Sequence, residues 1–293
     1  MGYLYVLISV LSGTTKGYCG KKTSGFMKNP VDGIFISMIR MIICTLIGGL
    51  FVLMGSGASF GLNMSMFLTA FMSAVATSCF VVSWLMCVKN GSYMMLDIFL
   101  MLGVVIPIAA SAVMFGEKIR LNQVCGILIL AVAVYLLCGY NIRIKGKMTF
   151  KSVLLLIFCG AMNGFADLSQ KMFVKMNVNA SAAVFNFYTY LFSFIILAVV
   201  FAFISKQQTS KRKDIGKIIG YIIVMGICLF LNSYFKTLAA HYIDAAQLYP
   251  LCQGLSLIFS SLMATFLLKE KLDFRGAVGI AVAFGALLVI NLL

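Results

Sequence analysis

Phe115-Gly116-Glu117-Lys118-Ile119 opens one stretch of this chain, and Leu268-Lys269-Glu270-Lys271-Leu272 opens another 153 residues later. Each leads into an apolar helical pattern, from Val124 in the first copy and from Ala277 in the second, and Gly126-Ile127 falls on Gly279-Ile280 at the same spacing. Self-similarity at a fixed long period marks a duplicated unit. Working outward, five apolar runs precede the midpoint, at 3–20, 34–54, 66–88, 93–115 and 121–140. Five more follow it, at 152–174, 181–204, 216–238, 243–267 and 274–292. A helix of about 20 apolar residues crosses a hydrocarbon layer about 30 Å thick, and these runs have that length. Because five is odd, the second copy enters the membrane from the opposite face. The fold expected is an all-α membrane protein of ten transmembrane helices arranged as two inverted five-helix repeats. The first repeat spans 1–140, a basic linker 141–151 and the second repeat 152–293.

Composition leaves room for little else. Of 293 residues, 62% are hydrophobic and 11% charged, and the mean hydropathy is +1.05. Soluble domains carry about 25% charged residues. A β-barrel is excluded, because its strands alternate polar and apolar residues and these runs do not. The formal charge of +15 could point to nucleic acid, but the basic residues sit in short connections between apolar runs rather than on a folded basic surface. The partner is the lipid bilayer, not nucleic acid.

Sixteen basic residues lie in connections that follow odd-numbered runs, among them Arg143, Lys145, Lys147 and Lys151 at the midpoint and Lys206, Lys211, Arg212 and Lys213 after the seventh. At most five lie at the opposite face. The positive-inside rule then predicts a multi-pass protein of the cell membrane with both termini outside the cytoplasm. Met1 to Gly13 lacks the basic first region of a cleavable signal, so the first run is expected to remain as a helix. Nine cysteines are scattered through apolar stretches with no C-x-x-C, and His241 is the only histidine. No metal site or cofactor is expected.

Inverted repeats place a site near the membrane midplane between two halves that open in alternation, which is a transporter's design. Ionisable groups inside the membrane are costly and mark such a site. Arg40 lies deep in the second run, and Asp97 one turn into the fourth. Asp97 either pairs with Arg40 or Lys16, or carries a proton. In the sixth run Asn163, Asp167 and Lys171 recur every fourth residue, one polar stripe on a helix, and Ser9, Ser12, Lys16 and Gly20 form a similar stripe in the first. Shifted by 151, Lys16 falls on Asp167. Lys16 and Lys171 either line the cavity or extend to the headgroups, the second reading being the simpler. Further candidates for the substrate or coupling site are Asn186 in the seventh run, Asn232 and Tyr234 in the eighth, and Tyr249 and Gln253 in the ninth. Trp84 closes the third run, as a cavity residue or an interfacial anchor. Gly103, Pro107, Pro250 and Gly254 are hinge candidates. Glu117 and Glu270 each stand just before the next helix, where a carboxylate offsets the helix dipole, so a structural role is expected of them.

Two five-helix halves, each with a fourth helix ending in Glu and a Gly-rich fifth, resemble the drug/metabolite transporter superfamily and in particular its ten-helix EamA-type members. Phe115-Gly116-Glu117-Lys118, Leu268-Lys269-Glu270-Lys271 and Arg40 carry the resemblance, and the end of the chain from Tyr249 to Leu293 is similar to the last two helices of the small multidrug resistance proteins. The resemblance implies a secondary transporter working by alternating access, not an enzyme. Its cargo would be a small polar organic metabolite. The excess of basic over acidic groups within the runs favours an amino acid or another solute bearing a carboxylate or phosphate, with protons as the coupling ion. No P-loop is present to use ATP. A lipid-linked sugar flippase of the same superfamily is the alternative, and an intramembrane enzyme is a poorer one, since no nucleophile, base or metal motif accompanies Asp97 and Asp167. Small multidrug resistance proteins carry a glutamate in their first helix, whereas this chain has no acidic residue before Asp32. EamA-type members are usually drawn with both termini in the cytoplasm, the reverse of what the charges here predict.

Overall fold

The computed structural model describes residues 1–27, 29–55, 60–90, 93–145, 149–178, 180–205, 215–267 and 274–292. They form α1 (Gly2–Ser24), α2 (Pro30–Met54), α3 (Met64–Asn90), α4 (Tyr93–Gly103), α5 (Val105–Phe115), α6 (Leu121–Lys145), α7 (Phe150–Met176), α8 (Ala182–Ser205), α9 (Ile215–Ala239), α10 (Ala245–Phe266) and α11 (Phe274–Leu292). α4 and α5 together make the fourth span, so the protein has ten transmembrane spans.

The fourth span breaks at Val104, whose N–H reaches back only three residues, to the Met101 carbonyl at 3.1 Å. Pro107 supplies the cause. It has no N–H for the Gly103 carbonyl four residues earlier, and its ring crowds that oxygen. α10 carries Pro250 yet runs unbroken from Ala245 to Phe266. α2 starts at Pro30, ahead of the apolar run itself, because Asn29 caps it: the Asn29 N–H donates to the Asp32 carboxylate at 3.1 Å, and proline suits the first helical position. α6 continues to Lys145, inside the stretch read from the sequence as linker.

The packing repeats itself with the halves exchanged. α1 lies against α9 and α10, while α7, its counterpart, lies against α3 and α4; α2 packs on α8, and α6 on α11. Exchanging the halves carries each pairing onto another or onto itself, as a two-fold relation between inverted repeats requires. Five of the described helices, at Pro30–Met54, Met64–Lys89, Phe150–Met176, Ala182–Ile204 and Ile218–Ala239, are long and apolar enough to cross a membrane by themselves. α1 is not among them; its polar Ser9 and Lys16 are buried against other helices. Leu53, Val113 and Phe203 stand on the outside while Ser37, Arg40 and Asn186 are inside. That is the arrangement lipid demands, since the hydrocarbon offers polar groups no partner.

Small residues set the tightest contact. A methyl group added at Gly103 would overlap the Gly160 carbonyl, one at Gly160 the Phe99 carbonyl, and one at Gly164 the Gly103 carbonyl. α4 and α7 therefore meet backbone to backbone, the close approach that small residues allow between membrane helices. This holds the broken end of α4 to the second half.

Two apolar clusters divide the bundle by depth. One, with Cys19, Ile34, Trp84, Val88 and Ile222, fills the end where α6 finishes and α7 begins, here called the linker end. The other, with Val6, Val52, Phe173, Phe185 and Leu248, fills the end that holds both chain termini. Between them, at mid-span, the lining turns polar.

Candidate functional site

A cavity of about 50 Å³ opens at this level, lined from both halves by Ser9 and Lys16 of α1, Trp84 of α3, Asp97 of α4, Asn163 of α7, Asn232 and Lys236 of α9, and Gln253 of α10. Space of that size holds about three or four waters. Helical periodicity turns Ser9, Gly13 and Lys16 of α1, and Asn232 and Lys236 of α9, to the same centre, while α4 and α7 contribute Asp97 and Asn163 singly. Asn163 Nδ2 and Asp97 Oδ2 are buried with no hydrogen-bond partner, and the Ser260 hydroxyl lies beside the Asp97 carboxyl. Ser9 and Asn232 close one wall by mutual bonds, Ser9 Oγ donating to the Asn232 carbonyl and Asn232 Nδ2 to the Ser9 carbonyl, both at 2.8 Å. Gly13 faces Asn232, where a side chain would press on the amide.

The floor towards the terminal end is an ion pair. Lys236 Nζ donates to Asp167 Oδ1 at 2.8 Å, with side chains 9% and 2% exposed. The Tyr249 hydroxyl donates to the backbone carbonyl of Asp167 at 2.7 Å, fixing α10 to α7. One turn further out, Lys171 Nζ meets Glu117 Oε1 at 3.0 Å and donates to the carbonyls of Ile243 and Ala240 at 3.0 and 3.3 Å. Lys175 reaches the same carboxylate oxygen at 3.2 Å, and the N–H of Ala245 donates to Glu117 Oε2 at 2.9 Å. Glu117 thus joins the connection after α5, in the first half, to α7 and to the start of α10, in the second.

Several sequence expectations change against this geometry. Glu117 does cap a helix, but that helix is α10 of the other half rather than the next one in the chain. Glu270 lies outside the described residues. Lys171 neither lines the cavity nor extends to the membrane surface; it is 1% exposed and enclosed by Glu117 and two carbonyls. Lys16 does not extend outward either, being 8% exposed with its ammonium 5.7 Å from the centre of the Trp84 ring. Arg40 sits 6.0 Å from that ring, and among the described residues neither it nor Lys16 forms an ion pair with Asp97. Trp84 lines the cavity.

Asn186 and Tyr234 are absent from the cavity lining. Asn186 is held by the Ala182 carbonyl, Thr237 and Ser233, and Tyr234 packs edge-on to Phe51 and stacks on Phe230. The sequence reading missed the Glu117 junction. A signal for it was there: Glu117 and Asp244 are the only carboxylates in the connections at the terminal end, so Lys171 and Lys175 had few possible partners.

The junction carries a pH signature. Burial works against the Glu117 charge, but the Ala245 N–H and the ammonium groups of Lys171 and Lys175 outweigh it and hold the carboxyl below the usual glutamate range. A depressed folded value means that its stabilisation is complete above the ordinary value and is lost as pH falls through the depressed one. Thermal unfolding in detergent should therefore show wild-type protein losing its advantage over Glu117→Gln on acidification through that window. A difference between the two that stays constant from neutral to strongly acidic pH would show that the Glu117 charge contributes nothing.

Ten spans in two inverted halves around a polar, ionisable mid-membrane cavity define a transporter-type membrane fold. The model of the EamA-like transporter family matches residues 1–139 and again 150–292, and the chain belongs to that family. It is a multi-pass membrane protein. A solved crystal structure overlays on 99% of this chain and 96% of its own with a TM-score of 0.75 at 15% identity, a likeness of fold alone. No curated protein matches the sequence.

Proposed function

We propose that the protein is a secondary transporter that moves a small polar organic solute, an amino acid or another metabolite bearing a carboxylate or phosphate, by alternating access. The observation that carries this reading is the mid-span cavity, to which both halves contribute charged and amide side chains, Lys16 and Asp97 from one and Asn163, Asn232, Lys236 and Gln253 from the other. Alternation needs a seal at each end and a segment that bends. The Glu117 junction supports a seal at the terminal end. The break at Val104 between Gly103 and Pro107 supports a bending point, with Pro250 and Gly254 as its counterpart in the second half. Protons are the proposed coupling ion and Asp97 the residue that carries them.

Purified protein in liposomes, offered radiolabelled amino acids, carboxylates and phosphorylated metabolites with and without a pH gradient, tests the proposal. Saturable uptake of one of these solutes, driven uphill by the gradient, is the expected result. No uptake or exchange of any solute, from a preparation whose fold is intact, would count against it.

The sixteen basic residues of the linker end support a cell-membrane protein with that end in the cytoplasm. A green fluorescent fusion after Leu293 should then stay dark while one inserted at Gln208 lights up. Equal brightness would overturn this orientation.

A further inference from the structure

Lys16 and Arg40 are buried within their helices and take no part in the pairs just described, and in the fold they come to one aromatic ring. Lys16 Nζ lies 5.7 Å and Arg40 Cζ 6.0 Å from the centre of Trp84, with Phe80 5.6 Å from Lys16. Both are buried, and neither has a carboxylate within ion-pair distance among the described residues. Arg40 Nε and Nη1 lack hydrogen-bond partners, as does Asn163 Nδ2 across the cavity.

The charges do not balance. Lys236 and Asp167 neutralise one another at 2.8 Å, which leaves Lys16 and Arg40 against Asp97 alone. An aromatic face returns less to a desolvated cation than burying the ion costs. Two cations sharing one ring with three orphaned N–H donors nearby lack a negative partner.

We propose that Lys16 and Asn163, which line the cavity, are the direct ligands of an anion seat for a carboxylate or phosphate group against Trp84, and that Arg40 adds its charge to the seat from the same ring. This deepens the transport reading and rests on it only in taking the bound anion to be part of the cargo. Asp97 faces the same space and opposes the anion, so removing its charge tightens binding.

Trp84 is the only tryptophan in the chain, so tryptophan-selective fluorescence of the purified, folded full-length protein reads the surroundings of this one side chain. Titration with inorganic phosphate, and separately with acetate, in sodium HEPES at constant sodium concentration should change the Trp84 emission saturably for at least one of the two. Lys16→Met should weaken that affinity about tenfold or more, the loss of one charged hydrogen bond, and Asn163→Ala by a smaller factor. Lys16→Arg should retain binding and Asp97→Asn should strengthen it. A linear, non-saturating change, no change, or the same curve in wild type, Lys16→Met and Asn163→Ala would overturn the seat. The two readings fail separately: saturable binding without transport in liposomes removes the transporter and keeps the seat, whereas transport of an anionic solute without a Trp84 response does the reverse.

Discussion

Asp167→Ala should cost the fold about 3–5 kcal/mol, because it leaves the Lys236 ammonium buried with no counter-charge. The carboxylate that it removes is 2% exposed and holds Lys236 at 2.8 Å. The backbone carbonyl that receives the Tyr249 hydroxyl stays in place, so the loss isolates the charge pair from the α7–α10 contact. Removing both charges, as Asp167→Asn with Lys236→Met, should recover most of the stability, since the expense lies in the unpaired ion rather than in the missing attraction. Chemical unfolding in detergent, followed by Trp84 emission, measures Asp167→Ala, the double variant and the two singles Asp167→Asn and Lys236→Met. A double variant as unstable as the sum of its two singles would show that the pair contributes nothing as a pair.

The ten spans and their duplication were legible because hydropathy and length decide them: a polar residue count this low and a 153-residue period admit few other folds. The cavity was legible in part. Spacing every fourth residue identifies a stripe on a helix, but it does not say which way that helix is turned in the bundle. Asn163 and Asn232 face the cavity, whereas Asn186, on an equally plausible stripe, is spent on Ser233, Thr237 and its own helix.

Arg40 illustrates a second limit. Its depth announces that it needs compensation, and a carboxylate is the obvious partner to look for in a sequence; an aromatic ring supplied from another helix leaves no mark in spacing. Prolines show a third. Pro107 and Pro250 read alike, yet only the fourth span is interrupted, and that span lies backbone to backbone with Gly160 and Gly164. Tertiary contact decides what a proline does to its helix.

Asp97→Asn should abolish uphill transport while leaving solute exchange intact. The residue lines the cavity, one of its oxygens has no hydrogen-bond partner, and no described cation pairs with it. Such a carboxyl is free to gain and lose a proton without dismantling a salt bridge, unlike Asp167, whose charge holds Lys236. An asparagine side chain has the shape and neutrality of the protonated acid, so the carrier can still reorient with solute bound but has no proton to move. Counterflow in liposomes without a pH gradient should proceed at a rate close to wild type, and accumulation against a solute gradient should vanish. Because Arg40 faces Trp84 rather than Asp97, adding Arg40→Gln should restore nothing, whereas a structural Asp97–Arg40 pair would show recovery in the double variant. Full accumulation by Asp97→Asn would remove this residue from coupling, and with it the proton from the proposed mechanism, since Asp167 and Glu117, the other carboxylates placed near the cavity, are each engaged by a lysine.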